Sequence, residues 1–149
     1  MKREETVDYH IRSAWHAISR MYNQEASKYE ATMSVGFALL VIDTEEGIPA
    51  TKIAPLMGLE PRSLTRLLKS LEDKRLVTRV SDPNDRRSVR ICLTKKGKEK
   101  RELARETVLR FNEVVHEEIS ESKLSIFFEV IEQINRLAER GKIYEKTFT

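Results

Sequence analysis

Apolar positions divide this chain into a series of helical stretches and one stretch of strict alternation. Val7, Ile11, Ala14/Trp15, Ile18 and Met21/Tyr22 recur at 3.6-residue spacing, which predicts a helix from about Thr6 to Ala26. A second helix starts near Ser34 and carries Phe37, Leu40 and Val41 before Glu45-Glu46-Gly47 ends it; Gly36 within it is a weak helix former suited to close packing. A short helix follows, from near Thr51 to Gly58, and Pro55 within it predicts a later start than Thr51, or a kink. From Pro61 to Leu76 the pattern is sharper. Leu64, Leu67, Leu68 and Leu71 fall on one narrow helical face, Arg62, Arg66 and Lys69 on the opposite one, with Ser63 and Thr65 beside the cations. Pro61 suits the first helical position, where its missing N–H costs nothing.

The period then changes to two. Val89, Ile91 and Leu93 alternate with Ser88, Arg90 and Cys92, and the segments 76–80 and 88–93 flank turn formers centred on Pro83 and Asn84. This predicts a β-hairpin with a charged tip. Helical spacing returns with Leu103/Ala104, Thr107/Val108, Phe111, Val115 and Ile119, a helix capped by Thr94. A last helix, about Lys123 to Arg140, carries Leu124, Phe127/Phe128, Ile131, Ile134 and Leu137/Ala138 and ends at Gly141. Two helices joined by a tight turn, the second of them basic, followed directly by a hairpin, make a winged helix-turn-helix. The fold class is therefore mainly α with a small β-hairpin wing.

Charge sharpens this reading. The chain has 149 residues and a net charge of +3, but Glu60–Arg101 alone contains 14 Lys and Arg against 6 Asp and Glu, a local +8. A basic block in an otherwise acidic chain is the electrostatic footprint of a nucleic-acid partner. The block contains no Phe, Tyr or Trp on which unpaired bases stack, which favours duplex DNA over single strands. Taken alone, a cationic helix face is also what a solvated surface looks like. Lys95, Lys96, Lys98, Lys100 and Arg101 crowd the start of the fifth helix, where cations oppose the macrodipole by about 0.3–1 kcal/mol each. Helix stability does not account for them, so Lys95 and Lys96 are candidate phosphate contacts.

Other chemistries find little support. There is no glycine-rich phosphate loop, nucleophile elbow or recognisable carboxylate pair, so an enzyme is not expected. His10 and His16 are six apart, off a common helical face, and His116 stands alone, so neither a metal nor another cofactor is expected. The polar start, the short longest apolar run (Val35–Ile42) and the single cysteine, Cys92, predict a cytoplasmic protein with no membrane partner.

The segments 64–79 and 82–97 together resemble the MarR family of bacterial transcription regulators. Glu72, Leu76, Val77, Arg79, Asp85, Arg87, Ser88, Leu93, Thr94 and Gly97 stand where that family's ordered elements have them. The resemblance implies a single domain over 1–149. A winged helix-turn-helix lobe would occupy 31–101, with dimerisation helices in 1–30 and 102–149. Helical periodicity alone fits a monomeric bundle equally well. The resemblance further implies a homodimer that binds an inverted repeat in double-stranded DNA and represses until a small aromatic or anionic effector binds. Arg62 and Arg66 are the candidates for base edges, since bidentate Arg–guanine contacts discriminate most. Ser63, Thr65 and Lys69 are candidates for phosphate or secondary base contacts. The family's wing tip implies Asp85 as orienting carboxylate, Arg87 as the cation inserted in the minor groove, and Arg86 on phosphate. Tyr9, His10, Trp15, His16 and Tyr22 are candidates for the effector site, although Trp15 and Tyr22 also suit core packing. Some relatives sense oxidants through a cysteine near the N-terminus; Cys92 lies on a wing strand, with no second thiol. Two departures stand out: Glu60 replaces the usual Ser or Thr cap, and Arg75 stands where the family commonly has Gly. A winged helix that docks proteins rather than DNA is the competing reading.

Overall fold

The computed structural model describes residues 1–141 and 143–145. After a short 3₁₀ turn the order is α1 (Val7–Ser27), α2 (Met33–Val41), β1 (Ile48–Pro49), α3 (Ala50–Met57), α4 (Pro61–Asp73), β2 (Val77–Asp82), β3 (Asp85–Leu93), α5 (Lys95–Glu118) and α6 (Glu121–Glu139). The chain separates into two compact units, Met1–Val108 and the residues from Leu109 onward. The division falls inside α5. It differs from the expected lobes in placing α1 with the winged helix, where the Tyr22 ring meets Phe37 of α2 edge-on at 5.7 Å.

The first unit holds the core. Val35, Ala38, Leu39 and Ile42 from the α2 region meet Ile53 of α3, Leu67, Leu68 and Leu71 of α4, and Ile48, Val77 and Ile91 of the sheet. Each of these large aliphatic side chains contributes about 1.5–3 kcal/mol when taken fully out of water, so the leucine face of α4 anchors that helix. The sheet has the order β1-β3-β2 and is antiparallel, with Ile48 opposite Ile91 and Pro49 opposite Arg90. The third strand was not expected: a two-residue strand carries no alternation. Its proline is tolerated because β1 is an edge strand.

Several boundaries depart from expectation. Helix α3 starts earlier than Thr51, not later, and keeps Pro55 in its interior. The helix bond that Pro55 cannot donate is the one to the Thr51 carbonyl, and Thr51 is exposed. Gly58 ends α3 in the left-handed region at φ 63°. Helix α4 ends at Asp73 rather than near Leu76. The exit is a Schellman turn: the Leu76 N–H donates to Leu71 O and the Arg75 N–H to Glu72 O, both at 2.9 Å. Arg75 takes the left-handed position at φ 57°, the conformation that glycine suits. The hairpin is tighter than its turn residues suggested, with Asp82 paired to Asp85 across Pro83-Asn84 and a bulge between Ser81 and Asp82.

In the second unit, Ser120 caps α6 through a bond from the Lys123 N–H at 3.4 Å. Ile126, Phe127, Phe128 and Leu137 are large apolar side chains each more than half exposed on α6. Among the described residues no helix is long and apolar enough to cross a membrane.

Candidate nucleic-acid interface

Helix α4 begins at Pro61 with Glu60 before it, and Glu60 supplies no side-chain cap. Its buried leucines fix which face looks outward. Arg62, Ser63, Thr65, Arg66 and Lys69 are all exposed, and none of the three cations makes an ion pair among the described residues. The Thr65 hydroxyl donates to the Pro61 carbonyl at 3.1 Å and keeps its acceptor lone pairs free of that bond. At the far end, Glu72 pairs with Arg79 on β2, tying the helix to the wing.

At the wing tip Asp85 orients main chain rather than guanidinium. Its carboxylate accepts the Arg87 N–H at 3.0 Å and the Ser88 hydroxyl at 3.2 Å. Arg86 and Arg87 are exposed, and neither guanidinium is in an ion pair among the described residues. Arg90, which sequence reasoning passed over, is structural. It donates to the carbonyls of Glu46 at 3.1 Å and Gly47 at 3.4 Å and pairs with Asp82 at 3.5 Å, joining the wing to the loop before β1. In that loop the N–H groups of Glu46 and Glu45 hold the Asp43 carboxyl below the usual aspartate range. Cys92 is half-buried, its Sγ so near Gly47 that a Cβ there would lie 2.7 Å away.

Three of the cations that open α5 donate to main-chain carbonyls. Lys96 Nζ donates to Lys74 O at 3.3 Å, Lys100 Nζ to Tyr29 O at 3.2 Å, and Arg101 to Leu40 O at 3.4 Å. These carbonyls lie at or just beyond the C-terminal ends of α4, α1 and α2, where main-chain acceptors are left over and a cation is favoured by the dipole. Of the two candidate phosphate contacts, Lys96 is thus engaged by a main-chain carbonyl, and both Lys95 and Lys96 are exposed. As expected, Thr94 caps α5, accepting the Gly97 N–H at 3.0 Å.

A cavity of about 350 Å³ opens between α1, α2 and the first half of α5, walled by Tyr22, Phe37, Leu39, Leu40, Leu103 and Val108. Lys74, Lys96 and Lys100 bring cations to it against, among the described residues, the one carboxylate of Glu30. Of the five aromatic and histidine candidates on α1, only Tyr22 lines this cavity. Burial raises the pKa of its phenol. Tyr9, His10, Trp15 and His16 lie elsewhere. His10 Nε2 is 2.6 Å from Glu4 O and its ring meets Tyr9 edge-on. Trp15 remains half exposed, its ring 6.5 Å from Phe37, and His16 borders a separate shallow hollow with Ser19 and Arg20. The missed lining residues include Tyr29 and the lysines, which come from turns and helix ends that no single-helix pattern connects.

Comparison with known proteins accords with this geometry. A family model described as the MarR family matches residues 32–89. The regulator TtmR of Methylorubrum extorquens is 38% identical over 88 residues, 59% of this chain and 45% of its own length. SarZ of Staphylococcus aureus, also named an HTH-type transcriptional regulator, is 34% identical over 97 residues, 64% of this chain and 66% of its own. The matches thus span about half to two thirds of these relatives. The S. aureus MepR–DNA complex has the same fold, with TM-score 0.80 over 88% of this chain and 97% of that one at 21% identity. The chain belongs to the MarR family.

Proposed function

We propose that this protein is a cytoplasmic, sequence-specific regulator of transcription that binds duplex DNA as a homodimer and is released by a small amphipathic anion. The observation that carries the reading is the outer face of α4, where Arg62, Arg66 and Lys69 stand exposed and, among the described residues, without ion pairs over a buried leucine face. Cations left without carboxylate partners, while Arg79 and Arg90 nearby are paired, suit an external polyanion. In this reading Arg62 and Arg66 address base edges, and Ser63, Thr65 and Lys69 take phosphate or secondary base contacts. Arg87 enters the minor groove on a tip shaped by Asp85, while Arg86 and Lys95 meet phosphate. The protein acts by occupancy and has no catalytic step.

The exposed apolar surface of α6 supplies a dimer contact, and two-fold symmetry then presents two α4 helices to successive major grooves, about 34 Å apart. The cavity fits an effector with a flat apolar body and a carboxylate, met by Lys74, Lys96 and Lys100. Binding that favours a dimer with wrongly spaced helices would relieve repression.

Capture of genomic fragments with the purified protein tests this. Enrichment of one inverted repeat, with half-site centres one helical turn apart, is the expected result. Capture no more selective than for random fragments would favour the protein-docking winged helix instead.

A further inference from the structure

Three consecutive carbonyls leave the C-terminal end of α4, and the start of α5 receives all of them. Lys74 O accepts from Lys96 Nζ at 3.3 Å, Arg75 O from the Thr94 hydroxyl at 2.7 Å, and Leu76 O from the Thr94 N–H at 3.0 Å. Gly97 lets the two segments approach this closely, since a Cβ there would lie 1.9 Å from Leu76 O. Two of the donors are fixed, one a main-chain N–H and one a hydroxyl next to it. The third sits at the end of a four-carbon stem. Lys96 also lines the cavity, as do Lys74 and Leu76. One ammonium group therefore serves both the exit turn of α4 and the cavity wall.

We propose that Lys96 couples occupancy of the cavity to α4: an anion bound there draws the ammonium off the Lys74 carbonyl and loosens the exit turn. The proposal rests on the effector reading of the cavity and adds the route by which occupancy reaches the DNA-facing helix. A carboxylate competes well for the ammonium, because a bond between two ions is stronger than one from a cation to a neutral carbonyl. The turn it leaves is poised to respond. Arg75 is held at φ 57°, a conformation that persists only while its surroundings enforce it. Lys100 is the internal comparison. It lines the same cavity but donates to Tyr29 O, beyond the end of α1, rather than to α4.

Hydrogen exchange on the full chain, with 2-naphthoate as the probe and calorimetry to follow its binding, tests the coupling in the wild type, Lys96→Met and Lys100→Met. The readout is the Arg75 and Leu76 amides, which donate within the exit turn. In the wild type, saturating naphthoate should raise their exchange about fivefold, the effect of losing one modest hydrogen bond on local opening. Lys96→Met should exchange that fast without naphthoate and gain nothing when it is added. Lys100→Met should bind naphthoate more weakly yet respond like the wild type once saturated. Wild type that binds naphthoate with unchanged exchange at these amides overturns the coupling alone, as does ligand-free Lys96→Met that stays as protected as the wild type. Failure of the wild type to bind naphthoate overturns the coupling together with the effector reading.

Discussion

Replacing Arg75 by glycine should stabilise the protein. Arg75 occupies the left-handed position of the Schellman turn at φ 57°, where a residue with a Cβ is disfavoured by about 1–2 kcal/mol. Its side chain is exposed and makes no ion pair among the described residues, so removing it sacrifices no contact of that kind. The turn's hydrogen bonds run through main-chain atoms and survive the change. Against the gain stands the greater freedom of glycine in the unfolded chain, worth about 0.5–1 kcal/mol. The net expectation is a stabilisation of about 0.5–1 kcal/mol, or a rise in Tm of about 1–4 °C for a domain of this size. Urea unfolding at one fixed protein concentration reads it as a higher midpoint with unchanged slope. Arg75→Ala removes the same side chain but keeps the Cβ, so it should gain nothing. A glycine variant no more stable than the alanine variant would refute the reasoning.

Three further outcomes follow from the same structure. Gly97→Ala should destabilise by at least about 2 kcal/mol in urea unfolding, because its Cβ would meet Leu76 O at 1.9 Å, inside hard contact, and the facing atom is main chain. Phe127→Asp places a charge on the exposed apolar surface of α6 and should shift sedimentation from dimer toward monomer while the far-ultraviolet helical signal persists. Asp43 has its folded pKa lowered by the N–H groups of Glu46 and Glu45, so its contribution is present above the unfolded aspartate pKa and is lost as pH falls through the folded value. Asp43→Ala should therefore be less stable than wild type at neutral pH, with the gap closing in acid; a gap independent of pH would contradict the assignment.

What could be read from sequence was local. The leucine and arginine faces of α4 follow from spacing within 13 residues, and Pro61, the hairpin turn formers and the Thr94 cap act on their immediate neighbours. The left-handed Arg75 was legible as a residue standing where glycine is usual. What was not legible depends on partners far away in the chain. Arg90 bonds carbonyls 43 and 44 residues off, and Lys100 one 71 residues off, so nothing near either residue marks it as structural. Counting charge alone made the whole block from Glu60 to Arg101 look available to DNA. The structure divides it into cations held by carboxylates and carbonyls and cations left exposed. The cavity was obscured for a related reason. Its aromatic wall needs Phe37 of α2 and Tyr29 beyond α1, and periodicity along α1 points to Trp15, which stays half exposed.

The central claim, that the exposed face of α4 reads duplex DNA, is tested most directly by fluorescence anisotropy on a captured genomic duplex over a salt series. Wild type, Arg66→Ala and Arg87→Ala would be compared with a scrambled duplex of the same length. The account predicts that log K falls with log salt by about 0.9 per neutralised phosphate. Arg66→Ala should lose about 1–3 kcal/mol on the captured sequence and little on the scrambled one, narrowing the discrimination between them. If Arg66→Ala weakened both duplexes equally, or neither, α4 would not be the reading helix and the account would be wrong at its centre.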